Sequence, residues 1–499
     1  MNIGIRLGDF SFQYDAYTLV RAFFPGDNVT VFDAETESGD EYDILIDAAF
    51  SQNTVNICLY DKNNFVSCEA SEDISGRDRK QIKNSLKRSI YRTLSDKTGR
   101  ALPWGTLSGI RPVKIPFKLM MNGCSDDEAA RYMEENYYVS PAKSALAVKI
   151  ARTERSAIDS LGIPGNTMEQ TDEMIRKGYS LYIGIPFCPS ICFYCTFSSG
   201  LISEFADRIE KYVSTLIYEL ESISKMMSGR KLFTVYVGGG TPTVLTAAQL
   251  ERLLSAVDRY FDTGNVLEYT VEAGRPDTID KDRLLVLKNH NVTRISINPQ
   301  TMNDRTLEII GRKHTSAGIR EAFDLAREVG FDNINADIIA GLPSEGKAEI
   351  SDTLRKIKEL GPESLTVHSL AVKRASRYNL NHNQYDRYDY LNNDDIMDMA
   401  HTYACEMNMI PYYLYRQKNM KGNLENIGFS KPDKIGLYNI LIMEERQSVM
   451  AAGAGAISKF VYGSECAAVR AANVKNADEY LKRIDEMIKR KEEEVHWLE

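Results

Sequence analysis

The sequence has no apolar run approaching the roughly 18–20 residues that span a bilayer. Its opening, MNIGIRLGDF, has no basic region followed by an apolar stretch, so no secretory signal is expected and the cytoplasm is the expected compartment. Positive charge is not in excess: 61 Lys and Arg stand against 70 Asp and Glu, a formal net charge of -9. That balance argues against the basic surface by which nucleic-acid-binding proteins hold phosphates. A disulfide framework is missing as well. Cys58, Cys68, Cys124, Cys405 and Cys466 are scattered singly. In a large chain without a signal they are expected to be buried free thiols.

What is present is length and a change of texture. The 499 residues exceed one ordinary core, so two to four domains of roughly 100–200 residues are expected. Over residues 1–103 short strand-like runs (NVTVFDAE, YDILIDAAF, TVNICLYD, FVSCEAS) precede a helical stretch, KQIKNSLKRSIYRTLSDKTG. This predicts a small α+β domain whose role the residues do not reveal. Residues 104–178, opening with WGTLSGIRPVK, read as a helical connector.

From 179 to 375 strand-like and helical segments alternate. The strand candidates are LYIGIPF, TVYVGGG, LEYTVEAG, VTRISINPQ, NINADIIAG and ESLTVHSLA. Between them RIEKYVSTLIYELESISKMM, TAAQLERLLSAVDRYF and AGIREAFDLAREVG carry apolar residues at three- and four-residue steps, as helices packed on a sheet require. Six βα units predict an α/β fold, a partial (β/α)6 barrel short of the usual eight. Residues 376–499, with a charged helical tail ADEYLKRIDEMIKRKEEE, read as a mostly helical domain covering the substrate.

The unusual residues fall at the ends of those strands. A cysteine cluster follows the first, GGGTP ends the second, and Glu272 ends the third. Gln300 ends the fourth, Asp337 lies at the end of the fifth, and His368 lies late in the sixth. Chemistry in βα barrels sits at the C-terminal ends of the strands, so six segments converge on one mouth.

The cluster, GIPFCPSICFYCTF, holds Cys188, Cys192 and Cys195 and lacks a fourth ligand; the next histidine is His290. Structural zinc takes four Cys or His ligands, and nothing local completes such a set. A cubane iron–sulfur cluster has four irons, and three thiolates leave one of them open. C-x3-C-x2-C with Tyr194 before the last cysteine is similar to the radical S-adenosylmethionine (radical SAM) signature, in which the open iron receives the amino and carboxylate groups of SAM. GGGTP, Gly238 to Pro242, is explained by a tight βα turn, or by a backbone that approaches a ligand closely. Glu272, Gln300, Arg312 and Asp337 are unremarkable singly, but Arg pairs with carboxylate while Glu and Asp accept from hydroxyl and ammonium. GAGAIS, Gly453 to Ser458, is no dinucleotide fingerprint and reads as a tight turn. Lys373, Arg374 and Arg377, and again Arg416, Lys418 and Lys421, group basic residues in an acidic chain. They form either a solvated face or an anion site.

The stretches YIGIPFCPSICFYCTF, GGGTPT, VEAGRPDTI, RISINPQ, IGRKHT, NINADIIAGLP, PESLTVHSLAVKRAS, PYYLYRQKN and GNLENIGFS resemble the oxygen-independent coproporphyrinogen III oxidase (coproporphyrinogen dehydrogenase) family of radical SAM proteins, in its HemZ branch. The resemblance runs from residue 104 to about 460. It implies a [4Fe–4S] cluster on Cys188, Cys192 and Cys195, and one or two SAM molecules. Tyr182, Gly239 and Glu272 are implied for the first SAM. Gly240, Thr241, Gln300, Arg312, Asp337, Ala371 and Ile457 complete the implied SAM set. The implied reaction turns two propionates of coproporphyrinogen III into vinyl groups, giving protoporphyrinogen IX and carbon dioxide, with a 5′-deoxyadenosyl radical taking hydrogen from the propionate β-carbon. No side chain is implied as a catalytic acid or base. Lys373, Arg374, Arg416 and Lys418 are the candidates for holding the tetrapyrrole carboxylates, and a reducing protein such as flavodoxin or ferredoxin is the implied electron source. Two positions depart from the classical enzyme of the family: Phe197 replaces a fourth cysteine, and Gly184 replaces a histidine. Related heme chaperones also carry Phe at the first, so a heme-binding chaperone is the alternative. A radical SAM methyltransferase of heterocycles is a third.

Overall fold

The computed structural model describes residues 1–35, 41–62, 66–162, 167–195, 200–371, 391–417, 424–463 and 467–498. They form two compact units, Met1–Arg152 with Arg416–Leu424, and Thr153–Tyr415 with Glu425–Glu499. The expected boundaries after 103 and 178 therefore shift. Trp104 is fully buried, and Arg88 donates to Asn136 O and, through Nη2, to Glu72 at 2.5 Å. These contacts bind the first connector helices into the first unit, and the division falls inside the helix Pro141–Asp159.

The first unit has a five-stranded sheet. Its spatial order is Asn28–Asp33, Asn2–Leu7, Ile44–Phe50, Thr54–Asp61, Val66–Asp73. Alternating burial along Ile44–Phe50 and Thr54–Asp61 turns one face to the core, as period-two patterning demands. Helix Arg79–Thr98 supplies Leu86, Ile90 and Leu94 to that core. An Asp78–Gln81 capping box starts the helix, and Gly99 in the left-handed region ends it.

The second unit contains the six expected strands as neighbours in one parallel run: Tyr179–Ile185, Leu232–Gly239, Glu268–Glu272, Arg294–Ser296, Ile334–Ala340 and Ser364–Ser369. Nearly every residue of these strands is buried, the pattern of a parallel sheet covered on both faces. The run is open, a partial barrel. Among the described residues the segment after 376 is not mostly helical but mixes helices with strands. It adds Ile410–Tyr415 and Asn426–Ser430 antiparallel beyond the sixth strand. It also adds Ser448–Ala452 parallel to the first strand, followed by the antiparallel Ile457–Tyr462 and Ala467–Ala472. The five strands cover both edges of the barrel sheet, where unpaired backbone would otherwise be exposed. The charged tail does form helices, Ala477–Lys482 and Ile484–Val495. No helix among the described residues is long and apolar enough to cross a membrane. Cys58, Cys124 and Cys405 are free, but none is fully buried and Cys405 is exposed on the last turn of the helix Asp394–Glu406. The side chains of Cys68 and Cys466 lie outside the described residues.

One buried polar node ties the tail helix to the barrel. Glu219, on helix Ile209–Met226, and Lys491, on Ile484–Val495, pair at 2.7 Å with side-chain exposures of 0% and 1%. The remaining lone pairs of Glu219 accept from Asn473 Nδ2, Gly453 N and Tyr480 Oη. Gly453, at φ 104°, lies so close to strand Tyr179–Ile185 that an added Cβ would sit 2.4 Å from Gly184 O. Tyr212 Oη donates to that same carbonyl and accepts from Ala454 N. The GAGAIS turn is thus pinned to the first strand just before the cysteines. Lys491→Ala leaves a buried carboxylate without its cation and is expected to cost about 3–5 kcal/mol. Denaturant unfolding, followed with a probe in the second unit, measures it.

Candidate active site

Strand register builds the rim. Gly184 pairs with Gly238 and Ile185 with Gly239, which sets the glycine turn beside the start of the cysteine loop. Gly240 N donates to Ile185 O and Thr241 N to Phe187 O, both at 2.8 Å. Gly239 has φ 114°, and a Cβ on Gly240 would meet Phe187 O at 2.5 Å, so glycine is required at both positions. Cys188 and Cys195 are half-buried and Cys192 is buried. The Cys188 sulfur lies 3.4 Å from Thr241 Oγ1. The loop is anchored across the rim by Phe193 N to Ile310 O at 3.1 Å and by Ser190 Oγ to Gly311 O at 2.9 Å.

Two acids stand on the neighbouring strands. Glu272 accepts from Tyr236 Oη at 2.5 Å. Burial pushes its carboxyl up to about 7, with Asp337 adding to the rise and Tyr236 and the Gly239 N–H opposing it. Tyr236 stacks on Tyr182 and on Tyr438, with ring centroids 6.2 and 4.4 Å apart. Burial, then the Glu272 charge, raises the Tyr182 phenol above its usual range. For Asp337 burial pushes upward, but hydrogen bonding and charge from His368, with Asn335 and Thr366, win and hold it below the usual carboxylate range. Asn335 Nδ2 lies 2.7 Å from it and His368 Nε2 3.8 Å. Tyr415 Oη is 3.4 Å from the other nitrogen of His368.

Gln300 is buried at φ 68°, a left-handed backbone uncommon outside glycine, and its main chain bridges Asp337 O and Ile339 N. Arg312 is buried and donates to Asn298 O at 2.5 Å. Burial opposes its charge, yet Tyr194 and Cys192 together hold its pKa above the ordinary value. Ala371 follows the sixth strand, and Ile457 opens the strand Ile457–Tyr462 with 50% of its surface exposed.

The residues fit a group larger than a single ion. Ser296 Oγ, Asn298 Oδ1, Arg312 Nε and both ring nitrogens of His314 are buried without hydrogen-bond partners among the described residues. They lie at the end of the fourth strand and on the two connections that flank the short helix Asp304–Ile309. Buried polar atoms are normally paired, and such a concentration marks where a ligand supplies the partners. No three His, Cys, Asp or Glu side chains among the described residues close around one point as for a single metal ion. Thiolates bound to separate irons of a cluster stand farther apart than ligands sharing one ion.

Of the expected substrate cations, Lys373, Arg374 and Lys418 lie outside the described residues, as does Phe197. Arg416 is corrected. It belongs to the first unit, where its buried guanidinium donates to Leu107 O and Leu424 O and lies 5.8 Å from the Trp104 ring. Tyr236, Arg275 and His314 were not singled out from sequence. Tyr236 carried a usable signal, because two residues before Gly238 on a strand is the same face.

The radical SAM superfamily model matches residues 182–357. The oxygen-independent coproporphyrinogen-III oxidase-like protein HemZ of Bacillus subtilis is 38% identical over 423 residues, 84% of this chain and 82% of that protein. The heme chaperone HemW of Lactococcus lactis is 37% identical over 200 residues, 40% of this chain and 51% of its own length. The structure of coproporphyrinogen III oxidase (HemN) from Escherichia coli aligns with a TM-score of 0.51 at 22% identity, over 64% of this chain and 73% of that one, a likeness of fold.

An acceptor at Glu272 works best ionised. Below pH about 7 the carboxyl is neutral and one oxygen is a donor; above it, both oxygens accept. Were Glu272 to accept from SAM, as the resemblance implies, SAM affinity, measured by calorimetry without reductant, would rise with pH through about 7. Glu272→Gln should flatten that profile at the weak end.

Proposed function

Since the chain belongs to the oxygen-independent coproporphyrinogen III oxidase family of radical SAM proteins, in the HemZ branch, we propose that it oxidatively decarboxylates coproporphyrinogen III to protoporphyrinogen IX without oxygen. Its cofactors are a [4Fe–4S] cluster and SAM. One observation supports the substrate class: the likeness to the oxidase-like protein HemZ extends over 84% of the chain, whereas the likeness to the heme chaperone HemW covers 40% and that to the coproporphyrinogen III oxidase of Escherichia coli 39%.

Cys188, Cys192 and Cys195 would hold the cluster. The Gly239–Thr241 turn gives the backbone a close approach, Glu272 and Asp337 accept from ammonium and hydroxyl, and Arg312 offers a cation for a carboxylate. Tyr182, Gln300, Ala371 and Ile457 line the same rim in this reading. Cluster and SAM, when bound, supply the radical that removes one hydrogen atom from the substrate. Each propionate loses that β-hydrogen as an atom, one electron to an external one-electron acceptor, and carbon dioxide, leaving a vinyl group; the carboxylate departs already ionised, so no side chain has to move a proton. The chain's task is to hold four carboxylates and exclude water. In a chain of net charge -9 the cations must be local, and Lys373, Arg374 and Lys418 are assigned that role. Losing one charge-assisted contact of roughly 1.5–3 kcal/mol weakens binding about 10- to 100-fold. Arg374→Ala should raise the KM for coproporphyrinogen III by that factor with iron content and uncoupled 5′-deoxyadenosine release unchanged.

The second reading, a heme chaperone, is favoured by the HemW likeness and by Phe197 in place of the fourth cysteine. Anaerobic turnover with dithionite, or a flavodoxin or ferredoxin, separates the two. The enzyme gives the divinyl product on chromatography, and Cys192→Ala gives none. Protein with full cluster that cleaves SAM, makes no vinyl product and transfers heme to an apo-hemoprotein is a chaperone.

A further inference from the structure

The turn after the third barrel strand brings a cation to the cysteine loop. Arg275 lies three residues beyond that strand, its side chain 3% exposed. Its guanidinium is shared among three residues. Nε and Nη2 donate to Oδ1 and Oδ2 of Asp277, each at 2.9 Å. Nη1 faces the other way, to Ser190 Oγ at 3.0 Å, Ser190 O at 3.5 Å and the Cys192 sulfur at 3.9 Å. The carboxylate fixes the plane of the fork and balances charge on its far edge. The near nitrogen is left held against the sulfur. The turn itself is rigid: Pro276 opens a single 3-10 turn, and Thr278 Oγ1 donates to Arg275 O at 2.8 Å.

We propose that Arg275, oriented by Asp277, is a positioning residue that acts through Cys192 to raise the reduction potential of the cluster. The inference rests on the reading of Cys192 as a cluster ligand. One-electron reduction adds one negative charge to the iron–sulfur core; the electron comes from the external reductant and no proton accompanies it. A hydrogen bond to a ligand sulfur, and a positive edge in a water-poor surrounding, stabilise the reduced state more than the oxidised one. Asp277 works in both senses. It aims the guanidinium, and it tempers the positive field that the sulfur feels.

The test is an anaerobic redox titration of the reconstituted full-length protein, followed by EPR without SAM or substrate, with iron counted in each variant. Arg275→Gln should be about tenfold harder to reduce, a shift of about 59 mV downward for a one-electron couple. Arg275→Lys, which keeps charge but not the fork, should fall by less. Asp277→Asn, which removes the compensating charge and keeps the cation, should shift upward. Equal potentials in Arg275→Gln and wild type overturn the proposal. So does a fall of one size in all three variants, as general loosening would give. If Arg275→Gln retains no iron, opposite shifts in Arg275→Lys and Asp277→Asn support it and shifts in one direction overturn it. Failure of the ligand reading shows separately, as wild-type iron content in Cys192→Ala. The substrate reading does not enter the measurement.

Discussion

Parallel pairing in register is the constraint on which the site depends. Six strands running the same way end at one rim, so residues far apart in sequence become neighbours without any loop having to reach across. Gly184 against Gly238, Glu272 against Ser296 and Asp337 against Thr366 are ladder positions before they are site positions. A slip of one residue would turn each of these side chains to the other face. The glycine turn adds a second condition, because the approach of Gly240 to Phe187 leaves no room for a Cβ.

The rim is divided by charge. Arg275 and Arg312 meet at the cysteine loop, with Asp277 as counter-ion, while Glu272 and Asp337 stand on the third and fifth strands. The acids are held in contrasting states. Glu272 is raised by burial beside a second carboxylate, and Asp337 is lowered by a histidine and two polar neighbours. A ligand carrying both an ammonium and a carboxylate has an orientation imposed on it by such a division.

The barrel was legible because its signals are local. Each strand is a short buried run, and each helix between carries a three- and four-residue apolar period; Thr246 and Gln249 even write a capping box. The edge strands were not legible for the opposite reason. IPYYLY and SVMAA are too short to choose a state alone, and they become strands because the barrel edges offer them partners. Arg416 was misread since a basic residue near tyrosines looks alike on a surface and in a core. Only the fold shows its guanidinium on Leu107 O. Arg275 stood inside a quoted stretch, but its contact with Cys192 joins residues 83 apart. His314 and Asn298 gave no signal, because an unpartnered buried atom is a property of packing.

The node at Glu219 makes part of the rim depend on residues that follow the cysteines by more than 270 positions. Lys491 and Asn473 emerge from the ribosome long after the cysteines, and until they do the turn at Gly453 is held against Gly184 only by the pairing of Ser448–Ala452 with the first strand and by Tyr212. A nascent chain can therefore form the six-stranded core while its mouth is still unfinished.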